Sequence, residues 1–144
     1  MTHVEFHCNA PDKIAYACRL LRKASRQGGR VVVVAGSELL QALDAALWSF
    51  SATDFVAHTL ATTDAQVLAA SPVLLLESAL EAPHQQVLLQ LGDTVPAGFE
   101  RFERLIEVVT LEEDDRVLAR QRWKHYAARG YAVQRKDLEL KEPA

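Results

Sequence analysis

Runs of apolar residues separated by short polar, turn-forming clusters recur along the whole of this chain. Val4, Glu5, Phe6, His7 and Cys8 alternate and predict a first strand. Pro11 and Asp12 then open a helix whose apolar stripe is Ile14, Ala17, Cys18 and Leu21, and which ends on Lys23, Arg26 and Gly28-Gly29. The unbroken β-branched run over residues 30–35 is that of a strand covered on both faces. Ser37 is placed to cap a second helix carrying Leu39, Leu40, Leu43, Leu47 and Trp48. Further strands are predicted over residues 55–58, 72–77, 87–91 and 105–109, with brief helices over 64–70 and from residue 96.

The longest helical pattern spans residues 112–129. Glu112, Glu113, Asp114 and Asp115 open it and Arg129 closes it before Gly130, an order that opposes the helix dipole and suits a left-handed C-terminal residue. At 100° per residue, Arg116, Arg120 and Lys124 fall within an arc of about 80°, with Trp123 at its margin. Leu118, Ala119 and Tyr126 occupy the neighbouring, core-facing arc, where Arg122 also falls. Like charges four apart repel by a few tenths of a kcal/mol, so folding gives little reason for this row. An acidic partner would, the alternative being a solvated basic stripe. Residues 131–133 could add an edge strand, and residues 135–144 form a charged, loose tail.

Strands alternating with helices predict a single three-layer α/β domain over residues 1–134, a mainly parallel sheet with helices on both faces. The 144 residues suffice for a full core, and 49% apolar with 24% charged residues is an ordinary globular composition. No apolar run reaches the roughly 18 to 20 residues of a membrane span. The N-terminus lacks the basic-then-apolar pattern of a signal peptide. With Cys8 and Cys18 as the two cysteines, a reducing, cytoplasmic setting is expected. A net charge of −3 argues against the whole surface gripping nucleic acid, so any contact with DNA is expected to be indirect.

The turn after the first strand, Asn9-Ala10-Pro11-Asp12, has no glycine and offers an acid where a phosphate would sit. The turn after the second strand has only Gly36. Neither the dinucleotide nor the Walker pattern is met, so the sheet is expected to carry no phosphate loop. His3 and His7 share a strand face but stand roughly 13 Å apart at about 3.3 Å per residue, and Cys8 points the other way, so they make no metal grip. His58, His84 and His125 are scattered. Ser37 lacks a nucleophile elbow, and Glu77 and Glu81 suit capping or surface roles. Neither a metal, a cofactor nor a catalytic residue is expected.

Trp48, Phe50 and Phe55 cluster within eight residues around a loop, and for Trp48 and Phe55 core and interface both stay open. The run Leu43-Asp44-x-Ala46-Leu47-Trp48-x-Phe50…Phe55-Val56-x-His58, with Ala119-Arg120-x-Arg122-Trp123-Lys124-x-Tyr126…Gly130-Tyr131, resembles the chi subunit of bacterial DNA polymerase III holoenzyme. The resemblance covers nearly the whole chain.

That resemblance implies a non-enzymatic clamp-loader accessory of nucleotide-binding-like fold without a phosphate loop, one that binds the acidic C-terminal tail of single-stranded DNA-binding protein, a flexible peptide ending in an apolar Pro-Phe type tip. It places the tail site at Arg116, Arg120, Trp123, Lys124 and Tyr131. Trp123 stands where some relatives have tyrosine, which keeps an aromatic wall. The resemblance also implies a heterodimer partner, the psi subunit, on Trp48, Phe50 and Phe55, a face that would serve a DNA repair helicase equally well as an alternative partner. The competing readings are a nucleotide- or small-ligand-binding α/β protein, and direct single-stranded DNA binding through the basic helix.

Overall fold

The computed structural model describes residues 1–49, 56–60 and 65–138. Seven strands form one open sheet: β1 (His3–Ala10), β2 (Val31–Val34), β3 (His58–Leu60), β4 (Val73–Leu76), β5 (Val87–Gln90), β6 (Arg104–Thr110) and β7 (Val133–Asp137), in the order β3-β4-β2-β5-β6-β1-β7. Every neighbouring pair is parallel. Four helices connect them: α1 (Lys13–Arg26), α2 (Ser37–Ser49), α3 (Ala65–Ala70) and α4 (Glu113–Ala128).

Parallel strands need covering on both faces, and two cores provide it. Val31, Val33, Val73, Leu75, Leu89, Ile106 and Val108 pack beneath α1 and α2. The alternate residues Val32, Leu74, Leu88, Leu105 and Val109 pack with Phe6 of β1 beneath Ala119 and Tyr126 of α4. Valines 31–34 are all buried because both sides of β2 are interior. Asp12 caps α1 by accepting from the Ala15 N–H at 3.0 Å, so the acid in the first turn uses the donor a phosphate would need.

The sequence places a loose tail from residue 135 and an edge strand over 131–133. The chain instead runs as β7 through Asp137, pairing Val4 with Val133 and Phe6 with Arg135. Backbone pairing with β1 holds this strand, and four of its five side chains are exposed, so it has little apolar pattern to read. Residues 139–144 lie outside the described residues. Ser37 lies within α2 rather than capping it, accepting from Gln41 Nε2. The brief helix predicted from residue 96 is a short 3-10 segment, Phe99–Arg101. Of the two faces of β1, His7 is buried on one and Cys8 is half-buried on the other. No helix among the described residues is long and apolar enough to cross a membrane.

Candidate functional site

The row of cations on α4 overlooks a groove of about 410 Å³ between that helix and the β1–β7 edge of the sheet. Phe6, Val109 and Ala119 form its floor, and Arg116, Arg120, Trp123 and Lys124 line it from α4. Cys8, Asn9 and Arg135 line it from the sheet. Trp123 is half-buried, its ring 4.9 Å from that of Phe6, so the indole forms a wall of the groove without being sealed in the core. Arg120 is exposed, with one Nη2 contact of 3.5 Å to Glu113, and leaves most of its fork available.

Local backbone features set this arrangement. The β1–β6 register slips between His7 and Ala10, and Asn9 in that slip has φ of 68°. Such a bulge re-aims a side chain, and here the Asn9 Oδ1 accepts from Arg116 Nη2 at 3.1 Å. At the carboxyl ends of β1 and β6 the chain departs toward opposite edges of the sheet, the position where open α/β sheets bind ligands. Asp115 occupies it, accepting from the Thr110 N–H (2.8 Å), the Thr110 hydroxyl (2.9 Å) and Lys13 Nζ (3.1 Å). Burial alone would raise the Asp115 pKa, but the Thr110 bonds and Lys13 outweigh it and hold the carboxyl below its usual range.

The rotation of α4 is fixed from underneath. Arg122 is buried, donating from Nε to Glu107 at 3.0 Å and from Nη1 to the Asp93 carbonyl at 2.9 Å. Tyr126 donates to the other Glu107 oxygen at 2.7 Å. Burial pushes the Glu107 carboxyl up to about 7, while Arg122 and Tyr126 pull it back; burial and Glu107 together push Tyr126 up. This inward-facing network turns Arg116, Arg120 and Lys124 toward the groove.

Four of the five residues expected at the tail site thus line one groove, and Tyr131 does not. A backbone bond from Tyr131 N–H to the Tyr126 carbonyl at 3.2 Å, with Gly130 at φ of 82°, turns the chain back after α4. The Tyr131 ring then packs on Phe99 at 5.1 Å. Tyr126 is fully buried, as its place on the core-facing arc predicts. Arg135 and Asn9 were not expected at the groove. A right-handed return after α4 calls for one more parallel strand, which would have brought Arg135 into view; the bulge at Asn9 leaves no mark in the sequence.

At the far end of the sheet Trp48 is 63% exposed, its ring 5.6 Å from and edge-on to His58. His58 is held between the Val56 carbonyl (2.6 Å) and Asp44 (2.9 Å). Phe50 and Phe55 lie outside the described residues. Among the described residues no group of three or more His, Cys, Asp or Glu is placed to hold a metal.

An open parallel α/β sheet whose first two βα turns lack a glycine-rich phosphate loop, carrying a cation-lined groove on one face, is a nucleotide-binding-like fold. The chain belongs to the DNA polymerase III chi subunit (HolC) family, whose model matches residues 1–134. It is also 33% identical over 139 positions to the DNA polymerase III subunit chi of Pseudomonas aeruginosa, covering 93% of this chain and 95% of that relative.

Proposed function

We propose that the α4 groove receives the acidic C-terminal tail of single-stranded DNA-binding protein. On this reading the protein is a non-catalytic subunit tying that partner to the clamp loader of DNA polymerase III. The observation that carries the proposal is the convergence of Arg116, Arg120, Lys124 and Arg135 around an apolar floor with an indole wall. This is the complement of a peptide with several aspartates and a ring-bearing tip. Arg120, largely free, can take a carboxylate with two parallel N–H bonds. Arg116, held by Asn9, needs little ordering on binding. Lys124 and Arg135 attract the aspartates at longer range and mainly speed encounter. The floor between Phe6 and Trp123 takes the terminal ring as the hot spot.

Exposed Trp48, with Phe50 and Phe55, is proposed as the face for a second protein, the psi subunit or a repair helicase. Its separation from the groove leaves both partners room to bind at once.

Calorimetry with a synthetic tail peptide tests the groove. Micromolar affinity is expected, and Arg120→Ala should weaken it by about 2 kcal/mol or more while leaving unfolding unchanged. A peptide lacking its terminal phenylalanine should lose most binding, and added salt should weaken the remainder over a screening length of about 8 to 10 Å. Unchanged affinity of the Arg120→Ala protein, or equal binding of the shortened peptide, refutes the assignment.

A further inference from the structure

A second cavity, of about 180 Å³, lies on the opposite face of the sheet between the C-terminal half of α1 and strands β1, β5 and β6. Leu21, Leu89 and Ile106 give it an apolar side, and Lys23, Arg104 and Lys136 give it a cationic one. Lys136 arrives there because strand side chains alternate: Arg135 faces the α4 groove and its neighbour Lys136 this cavity. Arg104 is paired with Glu5, at 2.6 Å from Nε and 2.5 Å from Nη2. Among the described residues, neither Lys23 nor Lys136 has a carboxylate within ion-pair distance. Three cations against the one carboxylate of Glu5 leave an excess of two positive charges.

The wall includes His7, 3% exposed at its side chain. Its Nδ1 lies 2.5 Å from the Tyr16 hydroxyl. Burial pushes Tyr16 ionisation up, so Tyr16 stays a phenol and donates to Nδ1. Burial also lowers the His7 pKa against the pull of Glu5 and with the push of Lys136 and Arg104, which favours the neutral ring with its proton on Nε2. Glu5, at 3.8 Å, is too distant to accept that proton in a hydrogen bond, and Nε2 has no other partner. A buried donor left unmade is costly, and the ring that carries it lines the cavity.

We propose that this cavity binds a small phosphate monoester, with the dianion against Lys23, Arg104 and Lys136 and the organic part against Leu21, Leu89 and Ile106. Two excess charges match a dianion better than a carboxylate, and the volume equals roughly six water-sized spaces, enough for a phosphate with a short apolar body. The site is separate from the α4 groove, so it stands or falls independently of the tail reading.

The test is an NMR titration of the full chain with phenyl phosphate at constant ionic strength, following the His7 ring and the methyls of Leu89 and Ile106. Saturable millimolar shifts are expected at these groups, with the Trp123 indole unmoved. Lys23→Ala and Lys136→Ala should each weaken binding by about three- to fivefold, the scale of one exposed charge. A short oligonucleotide with a 5′-phosphate, compared with its 5′-hydroxyl form, separates the two sources of such a group. Tighter, phosphate-dependent binding identifies a nucleic-acid end, and affinity equal to that of phenyl phosphate identifies a free ester. Non-saturating shifts, or shifts that both lysine variants retain in full, overturn the proposal.

Discussion

Arg122→Met makes the buried network under α4 measurable. The guanidinium donates two hydrogen bonds, to Glu107 and to the Asp93 carbonyl, while Nη2 has no partner. Losing those two bonds forfeits about 1.5–3 kcal/mol each. Removing a buried charge returns a desolvation cost of several kcal/mol, so below neutral pH the variant should lie within about 2 kcal/mol of the parent. The pH dependence is the sharper signature. The Glu107 carboxyl titrates in the folded parent at about 7, above its ordinary value of 4.5, so the folded state holds a proton that the unfolded chain releases. Its contribution to stability therefore falls as pH rises through that window and levels off above it. Without Arg122 the folded carboxyl stays protonated to higher pH. The variant should then keep losing stability where the parent has stopped, by up to about 1.4 kcal/mol per pH unit. Urea unfolding of both proteins between about pH 6 and pH 9 gives the difference, in which His7, His84 and other shared titrations cancel. A gap that is constant over this range refutes the reasoning. Glu107→Gln supplies the contrast: a neutral amide titrates no proton there, so that variant should lack the fall with pH, and its stability relative to the parent should rise as pH increases towards about 7.

Asp115→Asn should cost about 1–3 kcal/mol near neutrality, because Thr110 and Lys13 lose a charged acceptor. The folded Asp115 pKa is depressed, so its stabilisation is present above the ordinary carboxylate range and is lost as pH falls through the folded value. Unfolding curves of parent and variant should converge on acidification, and a penalty undiminished at low pH would contradict this. Gly98→Ala should destabilise by about 1–2 kcal/mol or more, since φ is 87° and a new Cβ would stand 2.8 Å from Leu80 Cδ2. Gly36→Ala, with nothing within 4 Å of its new carbon, is the thermal-melt control and should be close to neutral.

Much of the fold was legible because parallel strands buried on two faces must be apolar at every position, as β2 and β4 are. The α4 helix announced itself through charge order and Gly130, and its cation row through spacing alone. The core-facing arc was legible from Ala119 and Tyr126, but the partner that lets Arg122 be buried in that arc was not, because Glu107 comes from another element. β7 escaped because its hold on the domain is backbone hydrogen bonding to β1, which leaves Gln134, Arg135 and Lys136 free to be polar. Tyr131 was placed with the groove by resemblance, but the turn after Gly130 sends its ring to Phe99.

β7 follows α4 in the chain but pairs with β1, so the groove is complete only once that strand has been made. A nascent polypeptide reaching only as far as Ala132 would already contain α4 with all its cations, yet would lack Arg135 on the opposite wall. The second cavity would be open on the same side, since Lys136 arrives with Arg135. Both surfaces are therefore completed together, when β7 docks onto β1.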